Sequence, residues 1–221
     1  MISAELMLFD LDGTLIDTLG DLTASLNLML NDLGHPPLSK KNVASIIGLG
    51  IPTTVYRCLT VTHPDQEPPD EKVHAEGIRL MHEHYADQML KTTALYPNVV
   101  ETLEHFEAKR KAVVTSKEER FAHLMLEHFG IAQHFDVIVG GDTVPARKPD
   151  PLPVLEGIKL LDGAPSEAVM IGDSESDVMA GRGAGARTCA ACYGYRTAEQ
   201  LSETSPDVMI HRFDELKELF R

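Results

Sequence analysis

The sequence predicts an α/β fold, a doubly wound parallel sheet with a small helical domain inserted near its start. Three observations carry this prediction. Short apolar runs recur without polar alternation, as in strands covered on both faces. Helical stretches separate most of these runs, which is the order of a parallel sheet. A long amphipathic stretch interrupts that order directly after the first run.

Residues 5–10, Glu-Leu-Met-Leu-Phe-Asp, read as a buried strand that ends in an acid. Residues 17–34 read as a helix, because Leu19, Leu22, Leu26, Met29 and Leu33 recur at spacings of three and four. Prolines 36, 37, 52, 64, 68 and 69 break the stretch 35–69. A second long helix is predicted from about 70 to 90, with Ile78, Met81, Tyr85 and Met89 on one face. From about residue 93 the texture becomes strand–helix alternation, with apolar runs at 111–115, 136–140, 168–172, 187–191 and 207–211. The first strand resembles these later ones. Residues 1–16 and 93–221 are therefore predicted to form one Rossmann-like α/β core, and residues 17–92 a helical cap domain. A long insertion adds little closure entropy, and this one begins beside Asp10.

The 221 residues are 43% hydrophobic and 24% charged, an ordinary globular composition. The net charge of −14 repels nucleic acid and anionic membrane surfaces, so neither is expected as a partner. It also repels a phosphorylated metabolite at long range, so a phosphate site would need local cations. No apolar run approaches the roughly 20 residues of a membrane span. The first nine residues carry neither a basic leader nor a small-residue cleavage site, so no signal peptide is expected. Cys58, Cys189 and Cys192 are too few for a disulfide framework, and a reducing cytoplasm is the expected location.

In an open parallel sheet, ligands bind at the carboxyl ends of the strands. The first strand ends in Asp10-Leu-Asp12-Gly13-Thr14, the 111–115 run in Thr115-Ser116-Lys117, and the 168–172 run in Gly172-Asp173 with Asp177 close behind. Lys148-Pro149-Asp150 follows the 136–140 run. Asp10 and Asp12 are two apart and point the same way on an extended segment. If Asp173 joins them, three carboxylates crowd one site. Two charges about 4 Å apart repel by about 4 kcal/mol at an effective dielectric near 20. Lys148 alone does not offset that, whereas Mg²⁺ suits a few carboxylates together with waters and a substrate phosphate. The charges of Asp10, Asp12, Asp173 and Asp177 balance against Lys148 and Mg²⁺ once Asp12 carries a proton. Helix N-termini after Ser116 and Ser174 add partial positive charge.

These residues predict a phosphoryl-transfer mechanism. Asp10 attacks phosphorus and becomes an aspartyl-phosphate. Asp12 protonates the leaving alkoxide and then deprotonates the hydrolytic water. Thr115 and Ser116 bind phosphoryl oxygens, and Lys148 neutralises charge on the nucleophile. Mg²⁺ is expected on Asp10, Asp173 and the Asp12 carbonyl. Asp177 is expected behind these groups, orienting Lys148 or a metal-bound water.

Asp10–Thr14, Thr115, Lys148 and the pair Asp173–Asp177 resemble, in order, the four motifs of the haloacid dehalogenase superfamily. Dehalogenases of that superfamily lack the second aspartate, so Asp12 points to a phosphatase. Within the phosphatases the chain is most similar to phosphoglycolate phosphatases, which carry a helical cap after the first motif. The resemblance implies 2-phosphoglycolate as substrate, with an inorganic pyrophosphatase or a phosphomutase as the alternatives. Two departures concern substrate choice. The family's Thr-Asn-Lys is Thr115-Ser116-Lys117 here, and its cap Gly-Asn-Gly loop is Gly48-Leu49-Gly50.

Plainer readings stand beside these. Ser116 with Glu119, and Ser174 with Asp177, match capping boxes that merely start helices. The Gly181, Gly183 and Gly185 series closes a helix rather than opening one, unlike a dinucleotide loop. Cys189 and Cys192 have redox spacing without a thioredoxin-like context. Lys40, Lys41, Arg57 and Arg79 are the cap cations that could meet a substrate carboxylate, and Arg57, on an expected helix just past the Gly48–Gly50 loop, is the preferred one. A phosphate-accepting signalling domain is the non-enzymatic alternative. Receivers carry their aspartate mid-chain, whereas Asp10 stands near the N-terminus.

Overall fold

The computed structural model describes residues 2–221. They form two compact units, one of residues 2–16 and 95–221 and the other of Asp17–Ala94.

The first unit is built on six parallel strands: β1 (Leu6–Phe9), then, after the inserted unit, β4 (Arg110–Val114), β5 (Val137–Val139), β6 (Ala168–Gly172), β7 (Arg187–Ala191) and β8 (Val208–Ile210). Their order is β5-β4-β1-β6-β7-β8. From β1 the chain winds outward through β4 to β5, then returns to β6 on the other side of β1. The carboxyl end of β1 is thus the switch point, where such sheets hold their ligands. Six helices connect or flank the strands: α5 (Val99–His105), α6 (Glu119–His128), α7 (Leu152–Leu160), α8 (Glu175–Gly183), α9 (Ala198–Glu203) and α10 (Leu216–Leu219).

Every residue of β1 and β6 is buried, so the unbroken apolar runs belong to strands covered on both faces. On one face Leu6, Leu8, Ala112, Val114 and Met170 pack with Val154 and Ile158 of α7 and Ala180 of α8. On the other, the Phe9 ring meets Phe213 at 5.8 Å and Phe135 edge-on at 6.0 Å. Gly181 lets α8 approach β6, since a Cβ there would lie 2.8 Å from Met170 Cβ. The glycine series at 181–185 ends α8 and turns the chain into β7.

The second unit is helical, with α1 (Leu19–Asp32), α2 (Lys40–Ile46), α3 (Ile51–Thr62) and α4 (Glu71–Gln88). The α1 stripe buries Leu22, Leu26 and Met29, and α4 buries Met81 and Tyr85. The proline-rich stretch 35–69 holds two helices, α2 and the expected helix that carries Arg57, α3. Pro52 lies in the first turn of α3, where a proline starts a helix instead of breaking it. Gly77 of α4 packs against Val55 and Leu59 of α3, leaving no room for a side chain. Two short strands, β2 (Ile16–Asp17) and β3 (Ala94–Leu95), pair where the chain leaves the α/β unit and returns to it. Among the described residues no helix is long and apolar enough to cross a membrane.

Candidate active site

Asp10 directly follows β1, and its N–H donates to Ile171 O at 2.9 Å, extending the strand register by one residue. This places its carboxylate at the switch point. Lys148 meets it from the loop before α7, with Nζ 3.0 Å from Asp10 Oδ1. The same ammonium donates to Val114 O at 2.7 Å and to Asp177 Oδ1 at 2.5 Å. Its side chain is 1% exposed.

Asp173 follows β6 beside Asp10. Carboxylate oxygens of Asp10, Asp173 and Asp177 all lie within 4.8 Å of one another. Two glycines make room for Asp173. Gly13 has φ +85, a conformation side chains rarely adopt, and a Cβ on either Gly13 or Gly194 would overlap the Asp173 side chain. The Asp173 carboxylate accepts the Tyr195 N–H at 2.7 Å and, at 3.4 Å, the Thr14 hydroxyl. Tyr193 donates its hydroxyl to Thr14 O at 2.9 Å. These supports from Thr14, Tyr193 and Tyr195 are not among the expectations from sequence, and the last two residues stand just after β7.

The electrostatics follow from burial and crowding. Burial, reinforced by Asp177 and Asp12, raises the Asp10 pKa to about 7 against the opposing pull of Lys148. Burial, with Asp177 and Asp10 adding to it, holds Asp173 well above the ordinary carboxylate range. Burial alone would lower Lys148, but Asp10 and Asp177 outweigh it and its pKa is raised. Three carboxylates therefore face one ammonium, a deficit of two positive charges.

Among the described residues, Asp10 Oδ1 has the Lys148 ammonium at 3.0 Å and is otherwise without a polar partner. Asp177, in contrast, is committed. Besides Lys148 it accepts the Ser174 N–H at 3.0 Å and the Ser174 hydroxyl at 2.6 Å. A buried Asp10 oxygen met only by Lys148, next to Asp173 in a cluster short of two positive charges, fits a hard divalent cation. Asp12 directs its carboxylate elsewhere, to Lys117 Nζ at 3.0 Å. Lys117 had been noted only as the third letter of a motif.

Thr115 continues β4, donating its N–H to Val139 O at 2.9 Å, and its Oγ1 accepts the Lys117 N–H at 3.2 Å. The Thr115 hydroxyl proton is thereby directed to other acceptors. Ser116 is buried and its hydroxyl has no hydrogen-bond partner among the described residues. The capping reading of Ser116 is corrected. Helix α6 starts at Glu119 with Glu118 as its N-cap, and Asp142 Oδ1 takes the Glu119 N–H at 2.8 Å. The helix after Ser174 begins as expected, with Asp177 returning to the Ser174 N–H. Asp150, one residue before the N-cap Pro151 of α7, accepts the Leu152 N–H at 2.8 Å.

Arg57 belongs to the helical unit, on α3, where its guanidinium donates to Ile46 O at 3.4 Å. Arg79 is held by Glu76 and Glu83 on the surface of α4, which removes it from the candidate cations. Cys58, Cys189 and Cys192 are free thiols, and burial pushes all three up in pKa, away from reactive thiolates.

The sequence profile of the haloacid dehalogenase-like hydrolases matches residues 7–191. The chain is 37% identical over 216 residues to phosphoglycolate phosphatase 1 of Pseudomonas aeruginosa, spanning 97% of this chain and 78% of that protein. It is equally, 37%, identical over 216 residues to a phosphoglycolate phosphatase of Chromobacterium violaceum, spanning 96% and 95% of the two. The crystal structure described as a predicted phosphoglycolate phosphatase from Haemophilus somnus 129pt is similar to the fold with a TM-score of 0.92, at 30% identity and 99% coverage of both chains.

Proposed function

This chain belongs to the haloacid dehalogenase-like hydrolase family, and on that premise we propose that it is a Mg²⁺-dependent phosphatase that hydrolyses 2-phosphoglycolate through a phosphate ester of Asp10. The observation that carries the proposal is the buried cluster of Asp10, Asp173 and Asp177 against the single ammonium of Lys148.

Asp10 attacks the phosphorus of the substrate. An O–P bond forms as the P–O bond to the leaving alkoxide breaks, and the alkoxide takes the carboxyl proton of Asp12. Asp12, now a carboxylate, then accepts a proton from water. The water oxygen attacks the same phosphorus, the Asp10–phosphorus bond breaks, and inorganic phosphate leaves. Lys148 keeps a positive charge against Asp10 and the transferring group, and Asp177 with Val114 O holds that ammonium in place. The Thr115 hydroxyl and the unpartnered Ser116 hydroxyl are the donors for phosphoryl oxygens. Asp10, Asp173 and the Asp12 carbonyl would hold Mg²⁺, which would supply the two positive charges the cluster lacks and favour the ionised form of Asp10.

Relatives named phosphoglycolate phosphatase over nearly the whole chain support the substrate. Arg57 is the cap cation proposed for the substrate carboxylate, since it has no carboxylate partner among the described residues whereas Arg79 has two. Free thiols suit a reducing cytoplasm.

The test is phosphate release with Mg²⁺ from 2-phosphoglycolate, pyrophosphate, sugar phosphates and nucleotides. Preference for 2-phosphoglycolate, abolished by EDTA and by Asp10→Asn, is expected. Arg57→Ala should raise KM for that acidic substrate. A fully active Asp10→Asn enzyme would end the covalent scheme, and preference for another compound would end the substrate assignment alone.

A further inference from the structure

We propose that Lys117 is a positioning residue for Asp12, fixing the carboxyl at the place from which it exchanges a proton with the leaving-group oxygen. The inference rests on the reading of Asp12 as the proton donor.

The Lys117 side chain is only 5% exposed, although lysine is among the residues least often buried. Its ammonium lies 3.0 Å from Asp12 Oδ2. Both ends of this pair stand on fixed backbone. On one side the Lys117 N–H donates to Thr115 Oγ1 at 3.2 Å, and Lys117 O accepts the Gly141 N–H at 2.7 Å. A side chain at Gly141 would overlap Ser116 O, and one at Gly140 would overlap the Glu119 backbone, so the double glycine clamps the turn that carries Lys117. On the other side the turn after β1 is closed by Gly13 N–H to Ile16 O at 2.9 Å and by the Leu15 and Ile16 N–H groups to Leu11 O. Asp12 is 19% exposed at its side chain, open enough to meet a substrate yet paired with a buried cation.

The geometry also separates two lysines by task. Lys148 serves Asp10 and Asp177, and Lys117 serves Asp12. An Asp12 carboxyl without this partner keeps its chemistry but loses its aim. Misplacement on the scale of 1 Å lowers rates by roughly 10²-fold.

The experiment compares two substrates whose leaving groups differ in their need for a proton. 2-Phosphoglycolate releases an alkoxide and depends on the acid, whereas p-nitrophenyl phosphate releases a stable phenolate and does not. Lys117→Met should lower kcat/KM for 2-phosphoglycolate by roughly 10²-fold while changing the aryl substrate several-fold at most. Retained aryl activity also reports a folded active site. Lys117→Arg, which restores a cation, should recover most of the alkyl activity. Equal losses on both substrates, or no loss on either, would overturn the assignment, because a lysine serving the fold or the phosphoryl group acts on both alike. Asp12→Asn in the same assay keeps the premise separate. In kcat/KM, which reads only the steps up to loss of the leaving group and not the later attack of water, it should lose roughly 10²- to 10⁴-fold on the alkyl substrate and much less on the aryl one. If Asp12→Asn shows no such selectivity, the donor reading of Asp12 is wrong and the positioning role goes with it. Selectivity in Asp12→Asn without selectivity in Lys117→Met would refute Lys117 alone.

Discussion

Stripped of divalent metal, the protein is expected to become more stable as the pH falls from about 8 to about 5.5. Asp10 is the cause. Its folded pKa is about 7, raised by burial and by the neighbouring carboxylates. Its unfolded value is about 3.9. Between these values the folded state holds a proton that the unfolded state has released, so stability rises as pH falls. Integrated over the stated range, one such group contributes about 2 kcal/mol. Asp173, also raised, acts in the same direction. Bound Mg²⁺ should flatten this dependence, because it stabilises the ionised carboxylates and competes with the proton. The assay is urea unfolding at a series of pH values, in EDTA and in excess Mg²⁺. The chain has no Trp, so far-ultraviolet circular dichroism is the suitable probe. Asp10→Asn removes the titrating group and should take its share of the pH dependence with it. Stability in EDTA that stays level or rises with pH in this window, or an Asp10→Asn curve parallel to the wild type, would refute the account of a carboxylate cluster short of positive charge.

Two further outcomes follow from the same structure. Asp21 of α1 is buried and accepts from both N–H and both hydroxyl groups of Thr92 and Thr93, at 2.6 to 3.1 Å. Asp21→Ala strands those donors and should destabilise the helical unit by roughly 3 kcal/mol, read from urea midpoints. Burial opposes the Asp21 charge, but these hydrogen bonds win and lower its pKa, so its contribution is present above about pH 4 and lost as the pH falls through the depressed value. Gly13→Ala forces a side chain into the Asp173 carboxylate from a left-handed backbone position. It should raise the Mg²⁺ concentration needed for activity and lower kcat by roughly 10²-fold, and an unchanged metal dependence would show that Asp173 does not need its present place.

Sheet strands were legible because burial on both faces writes itself locally as an unbroken apolar run. The runs at 168–172 and 187–191 coincide with β6 and β7. Helices α1 and α4 were legible from spacings of three and four, which need only the chain's own periodicity. A helix carrying Arg57 was legible, but α2 and the bounds of α3 were hidden by prolines, whose meaning depends on whether they fall inside a helix or in its first turn. At the site, the sequence by itself determined which acids and hydroxyls stand at strand ends, since that follows from where each run stops. Only the tertiary structure decided their partners: Lys117 on Asp12, Lys148 shared by Asp10 and Asp177, and Thr14 and Tyr195 on Asp173. Those pairings join segments far apart in the chain. They are set by the strand order β5-β4-β1-β6-β7-β8 and by glycines small enough to let backbones meet, which no local pattern encodes.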